Sequence, residues 1–313
     1  NFLYPLTAAL STFFLGRGKT KIVLISNISI HIVNILFDYL LIFGVKGIIP
    51  PLGILGAAIA TILSESTLCV ILYIFFRHKK YVETYRTDLR KLEKKMLWEV
   101  LKVGIPRASG RAMVIFTWNA AARIMVVKGG DFLLARTFGT SLFAIFSFIN
   151  QGLGQAILIL ASNLIGANWE KELSKLIKNS YIFLLTIIVS LTIPLFFFQN
   201  HLISLFIGSG ISEESLSVFR ACCSSILLMC LGNGILNIGV SLIMAYKDTF
   251  FYFLSSLFPW ITLFLPSYFG IGSFNFPPQT FFIIDGANCF IIGIVMMFHI
   301  RKKFLCSYKM LSQ

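Results

Sequence analysis

Residues 22–43 read IVLISNISIHIVNILFDYLLIF. The run holds no Lys or Arg and one acid, Asp38. At about 1.5 Å per residue, a helix of this length crosses the roughly 30 Å hydrocarbon core of a bilayer. The run therefore predicts a transmembrane helix. A carboxylate near the middle of such a helix costs roughly 2.5–3.5 kcal/mol on insertion scales. Asp38 is thus a candidate functional residue, and what it binds is the central question.

The rest of the 313-residue chain has the same character. It is 57% hydrophobic and only 13% charged, with a mean hydropathy of +0.84. Soluble domains carry roughly 25% charged residues, so the class is a multi-span integral membrane protein. Cys69, Cys222, Cys223, Cys230, Cys289 and Cys306 form no CxxC pair, have no His at metal spacing, and read as small core residues.

Nine apolar segments are predicted as spans: 1–16, 22–43, 52–76, 98–127, 131–165, 179–198, 214–245, 249–270 and 279–299. The fourth is expected to open with a surface turn, Trp98 to Lys102. The connections alternate in charge. One set, with the tail, holds Arg17, Lys19, Lys21, the eight basic residues of 77–97, Lys171, Lys175, Lys178, Lys247, Arg301, Lys302, Lys303 and Lys309. The other set holds only Lys46 and Lys128. Basic loops stay in the cytoplasm, so the C-terminus is expected inside and residue 1 outside, in an inner cell membrane. The net charge of +14 is then a topology signal, and no nucleic-acid partner is expected.

The chain also repeats. Pro50-Pro51 precedes a span with Gly56-Ala57 that ends in Arg77-His78-Lys79-Lys80. Pro277-Pro278 precedes a span with Gly286-Ala287 that ends in His299-Ile300-Arg301-Lys302-Lys303. GRGKT (16–20) and AYKDT (245–249) open the preceding spans. Both copies have the same orientation, which predicts parallel halves related by an axis along the membrane normal. The period implies a further three spans, about 130 residues, before residue 1. The expected architecture is all-α: two parallel six-helix lobes of a twelve-helix transporter, nine spans of which are present. Residues 1–76 form the second half of the first lobe, 77–97 the linker, 98–300 the second lobe and 301–313 a basic tail.

Polar residues inside the spans mark candidate sites. Asn27, His31, Asn34 and Asp38 are spaced +4, +3, +4 and fall on one helical stripe. Such a stripe must face protein, water or an ion. In the next span, Gly56/Ala60 and Ala57/Thr61 are small-xxx-small pairs that admit a neighbouring helix. If Thr61 faces Asp38, its hydroxyl, the carboxylate and the Asn34 amide oxygen make three hard oxygen ligands. These suit a small cation such as Na⁺, or a proton shared by Asp38. Glu65, one turn beyond Thr61, either extends this site or pairs with a cation toward the cytoplasm.

In the second lobe Asp285 is the one embedded acid and a second candidate. Arg107 and Arg123 lie near the ends of span 98–127, and Arg111 one turn deeper than Arg107, where it can meet an anion. Asn119, Asn150, Gln151, Gln155, Asn233 and Asn237 are further candidates to line a cavity. Pro106, Pro194, Pro259 and Pro266 predict bent helices.

GRGKT, NILFDYLLIFG and PPLGILGAAIAT resemble the first-lobe signature of the MATE (multidrug and toxic compound extrusion) transporters. IPRASG, INQGLGQA and SNLIGANWEKE are similar, more loosely, to the second-lobe pattern. The resemblance covers essentially the whole chain. It implies an antiporter, not an enzyme, that exports an organic solute by alternating access while Na⁺ or H⁺ moves inward. It places the cation site at Asn34, Asp38, Thr61 and the Ala57 carbonyl. A further family carboxylate, on the first helix, has no counterpart in this chain. The acids that one branch carries in its seventh and tenth helices are absent near 114–119 and 231–245. No cofactor beyond the coupling ion is expected, and the protein is expected to act as a monomer.

Two rivals follow. Arg111 suits an anionic or lipid-linked substrate, as in related oligosaccharide flippases. A membrane-embedded transferase would need paired acids or a His constellation at a cavity mouth, and His201, Glu213 and Glu214 form no such pattern.

Overall fold

The computed structural model describes residues 3–45, 48–88, 93–207 and 213–311, with the side chains of 170, 205–215 and 303–311 set aside. Lys46, Arg90 and Lys91, and the side chains of Glu213, Glu214, Lys303, Cys306 and Lys309, lie outside the described residues. The described chain is helical, apart from one isolated β-bridge between Val45 and Ile49. It divides into two compact units, Asn1–Glu93 and Lys94–Gln313.

The first unit contains α1 (Leu3–Gly16), α2 (Thr20–Ile42), α3 (Ile54–Phe76) and the short α4 (Lys79–Tyr85). Its core is Leu10 and Phe14 of α1, Val23 and Ile30 of α2, Leu68 and Leu72 of α3, and Tyr81 of α4. The turn from α2 to α3 depends on Gly44, whose φ is +73°. A Cβ there would also lie 2.6 Å from the Ile49 carbonyl oxygen, so only glycine fits. Helix α4 lies in a stretch read from sequence as linker. His78 caps it by accepting from the Lys80 N–H, and Tyr81 packs edge-on against Phe13 and Phe14. The Arg17 guanidinium sits 4.0 Å from the Phe13 ring centroid and 3.8 Å from that of Tyr85. Cation–π contacts on both sides thus join the end of α1 to α4.

The second unit contains α5 (Lys94–Lys128), α6 (Gly130–Gly166), α7 (Glu170–Phe197), α8 (Gln199–Ile207), α9 (Glu213–Ala245), α10 (Thr249–Ser255), α11 (Leu265–Ser267) and α12 (Thr280–Leu311). The expected surface turn at Trp98–Lys102 is instead part of α5, which runs unbroken through Pro106. Residues 94–101, KKMLWEVL, contain mostly good helix formers, and one proline removes only one backbone donor. The span from Thr249 to Ser273 is broken. Two π-helical stretches, Trp260–Phe264 and Tyr268–Ser273, flank α11. Pro259 caps the first stretch and Pro266 lies in α11, so the wider turns occur where prolines interrupt the ladder. This span is the repeat partner of α2, which is regular throughout.

Two apolar layers fill the second unit. One joins Met125, Phe138, Phe146, Phe219, Ile226 and Phe281. The other joins Ile157, Leu173, Leu184, Ile238, Ile292 and Met296. Helices α9 and α12 approach most closely at Gly232 and Gly286, where a Cβ on Gly232 would be 2.3 Å from the Gly286 carbonyl oxygen. At the end of this seam Asp248 caps α10 through the Phe251 N–H and lies 2.9 Å from His299 Nε2 of α12. The His299 ring stacks on Phe251 with centroids 3.7 Å apart.

Over their described residues all nine predicted spans are mainly helical, the eighth with its π-helical breaks. Among the described residues, seven segments are long and apolar enough to cross a membrane: Thr20–Ile42, Ile54–Phe76, Gly130–Gly166, Lys171–Phe197, Leu216–Ala245, Thr249–Ser273 and Thr280–Lys302. The other two differ for separate reasons. The described part of α1 is only 14 residues, and α5 carries Arg107, Arg111 and Arg123 within its length.

Candidate functional site

The first unit brings α2 and α3 together around the residues picked out in sequence. A Cβ on Gly56 would lie 2.4 Å from the Leu41 carbonyl oxygen, so the two backbones touch there. Ala60, one turn on, is fully buried. The helices run antiparallel from this crossing. Counting about 1.5 Å per residue away from it places Asp38 about 4.5 Å along α2 and Thr61 about 7.5 Å along α3. Asn34 and Glu65 follow one turn further on their own helices.

Side-chain partners separate these residues into two groups. Asn34 and Asp38 are half-buried and make no hydrogen bond or ion pair with a described residue. The Thr61 hydroxyl donates to the Ala57 carbonyl at 2.9 Å, which leaves both hydroxyl lone pairs open. Two of the candidate oxygens are therefore adjacent on α3. No hydrogen bond joins Thr61 to Asp38 or Asn34. Asn27 bonds back to the Val23 carbonyl at 2.9 Å, and His31 is exposed. Glu65 makes no ion pair with a described residue; its Oε2 accepts a long bond, 3.5 Å, from the Thr7 hydroxyl of α1. A carboxylate with no described partner, within about a helical turn of amide, hydroxyl and carbonyl oxygens along the helix axes, can hold a proton or a small hard cation.

In the second unit Asp285 is buried, with 4% of its surface exposed. Its Oδ2 accepts from the Trp118 indole N–H at 3.1 Å, and the Cys289 thiol lies 3.8 Å from Oδ1. Beside it the Thr262 hydroxyl donates to Asn288 Oδ1 at 2.6 Å. This group ties α5, α12 and the broken span together. Arg136 of α6, a residue the sequence reading passed over, sits 5.9 Å from the Trp118 ring, and its Nε is buried without a hydrogen-bond partner. The available signal was a lone arginine two turns into an apolar span.

The remaining second-lobe candidates divide. Asn237 donates to the Asn150 carbonyl and fills the space above Gly154, so this pair lies in the interface of α6 and α9. Gln155 is exposed, as is Arg111. Gly110 lets α5 approach Tyr252 of α10, and Arg107 and Arg111 lie close enough to that tyrosine to act on it electrostatically. Arg111 makes no ion pair with a described residue. Among the described residues no group of three or more His, Cys, Asp or Glu could hold a metal ion, and the candidate site in the first unit has only one acid.

Comparison with known proteins bears on the whole chain. The chain is 24% identical over 213 residues to a probable multidrug resistance protein NorM of Photorhabdus laumondii, covering 68% of this chain and 47% of that protein. It is 27% identical over 230 residues to the multidrug export protein MepA of Staphylococcus aureus, covering 72% and 48%. The chain thus spans about half the length of the curated relatives it matches. A crystal structure of MATE in the bent conformation superposes with a TM-score of 0.80 at 14% identity, covering 100% of this chain and 68% of that one. A Vibrio cholerae MATE transporter, VcmN, superposes with a TM-score of 0.81 at 16% identity, covering 96% and 66%. These structures share the fold. The family model MatE matches residues 110–269, about half of the chain, and the chain therefore belongs to the MATE family of membrane transporters.

Proposed function

We propose that the protein exports an organic solute in exchange for Na⁺ or H⁺ by alternating access, with the cation held in the first unit. The observation that carries this reading is Asp38. It is a half-buried carboxylate in a predicted span, makes no hydrogen bond or ion pair with a described residue, and lies about one turn from a close helix crossing, within about 3 Å of Thr61 and Ala57 along the helix axes. An acid retained in such a place has a binding role by default. Binding Na⁺ or a proton there removes a charge from the α2–α3 interface and shifts the balance between conformations of the lobe. Relatives described as multidrug export and resistance proteins support a drug-like solute as the cargo.

The test is gradient-driven uptake of a fluorescent organic cation into everted vesicles, where export runs from the medium to the lumen. Asp38→Asn is expected to abolish it at normal membrane insertion. Full uptake by that variant removes the assignment.

A second reading is favoured by one observation: Arg111 is exposed and makes no ion pair with a described residue. It suits an anionic or lipid-linked substrate. A structural neighbour from Pyrococcus furiosus, with a TM-score of 0.71 at 14% identity, is described as a transporter whose reversed pocket polarity suggests a different function. If this reading holds, Arg111→Glu impairs transport of an anionic substrate and Asp38→Asn does not.

A further inference from the structure

Helices α7, α9 and α12 leave a groove of about 740 Å³ along the outside of the second unit. Its walls are apolar: Ile177 of α7, Ile235 of α9, and Phe290, Ile294 and Phe298 of α12. The α12 side chains also face outward, Phe298 with 67% of its surface exposed. The charged end is the one at Arg301. Arg301 and Ser174 lie at the mouth, and Tyr181 lies about two turns further along α7. No carboxylate is among the described residues that line the groove, so an organic cation finds no counter-charge in them.

The dimensions fit one leaflet. From Phe290 to Arg301 the wall of α12 runs about 16 Å, close to half of the roughly 30 Å hydrocarbon core. The charged end belongs to the set of loops whose excess of Lys and Arg predicts the cytoplasmic side. Around the mouth, Lys171, Lys178, Arg301 and Lys302 are exposed and make no ion pair with a described residue, whereas Lys175 is taken by Glu172 at 2.9 Å. The basic cluster and the apolar trough are continuous through Arg301.

We propose that this groove is a binding site for an anionic phospholipid of the cytoplasmic leaflet. One acyl chain lies between α7 and α12 against Ile235, and the phosphate is held by Arg301 and Ser174 within the field of Lys171 and Lys178. Anionic headgroups attract basic residues at the membrane surface, and an arginine fork suits the phosphate oxygens. The site is separate from the residues assigned to cation coupling and stands whether or not that assignment does.

The experiment is native mass spectrometry of the purified protein offered phosphatidylglycerol or phosphatidylcholine. The protein is expected to retain one phosphatidylglycerol in preference to phosphatidylcholine. Arg301→Glu is expected to lower that retention about fivefold or more, in line with the attraction of one basic residue to an anionic surface. Lys80→Glu, the same charge change at an exposed residue of the first unit, is expected to leave it unchanged. Ile294→Trp, which fills the trough, is expected to lower retention of both lipids. Retention by Arg301→Glu equal to the wild type, or an equal loss in Lys80→Glu, overturns the proposal. Competition by glycerol phosphate as strong as by the lipid overturns it too, because it would leave the acyl trough without a role.

Discussion

At the scale of single residues, Asp38 and Gly56 work as a pair. Asp38 supplies the charge, and Gly56 supplies the approach that brings α3 to the level of that charge. A side chain on Gly56 would collide with the Leu41 carbonyl, a backbone atom that cannot rotate away. Gly56→Val is therefore expected to destabilise the first unit by about 1–3 kcal/mol, read as a lowered thermal midpoint in detergent. Ala58→Val, at an exposed position of the same helix, is expected to change it little. An unchanged midpoint in Gly56→Val would mean that α2 and α3 are not in contact there. Both residues were visible in the sequence: Asp38 because an acid in an apolar run is costly, Gly56 because small residues recur at helical spacing. What spacing could not supply is rotation. Glu65 lies on the same ladder of fours as Ala57 and Thr61, yet it bonds to Thr7 of α1. Periodicity gives the face of one helix but not which neighbour covers it.

At the scale of elements, hydropathy located the helices because a bilayer rewards long apolar runs that satisfy their own backbone. It was blind to short amphipathic helices and to changes of helical pitch. The segment 77–97 read as a charged linker, yet α4 forms there, and its signal was aromatic. Tyr81 and Tyr85 recur four apart and close over Phe13 and Arg17. Tyr81→Ala should release this helix from the end of α1, and limited trypsin digestion should then cut at Lys79 and Lys80 faster than in the wild type. Equal digestion rates would show that α4 is held by other contacts. The two π-helical stretches were half legible. Pro259 and Pro266 marked the span as irregular, but whether a proline bends, breaks or widens a helix depends on which neighbours donate to the freed carbonyls. Pro106 shows the contrast, since α5 passes through it unbroken.

At the scale of the whole molecule, the repeat and the charge asymmetry predict two parallel lobes with the basic connections inside. The two units differ in how they treat an embedded acid. In the first, Asp38 is half-buried and makes no hydrogen bond or ion pair with a described residue. In the second, Asp285 is enclosed by Trp118, Cys289 and its neighbours, where it knits α5 to α12. On the proposed reading, cation exchange belongs to the first unit. The most direct test loads vesicles holding the purified protein with an organic cation and follows entry of protons, by an internal pH dye, and of radioactive sodium. The wild type and the surface variant Glu83→Gln are predicted to admit one of the two ions as the solute leaves, and Asp38→Asn to admit neither. Ion entry in Asp38→Asn at the wild-type rate would contradict the account.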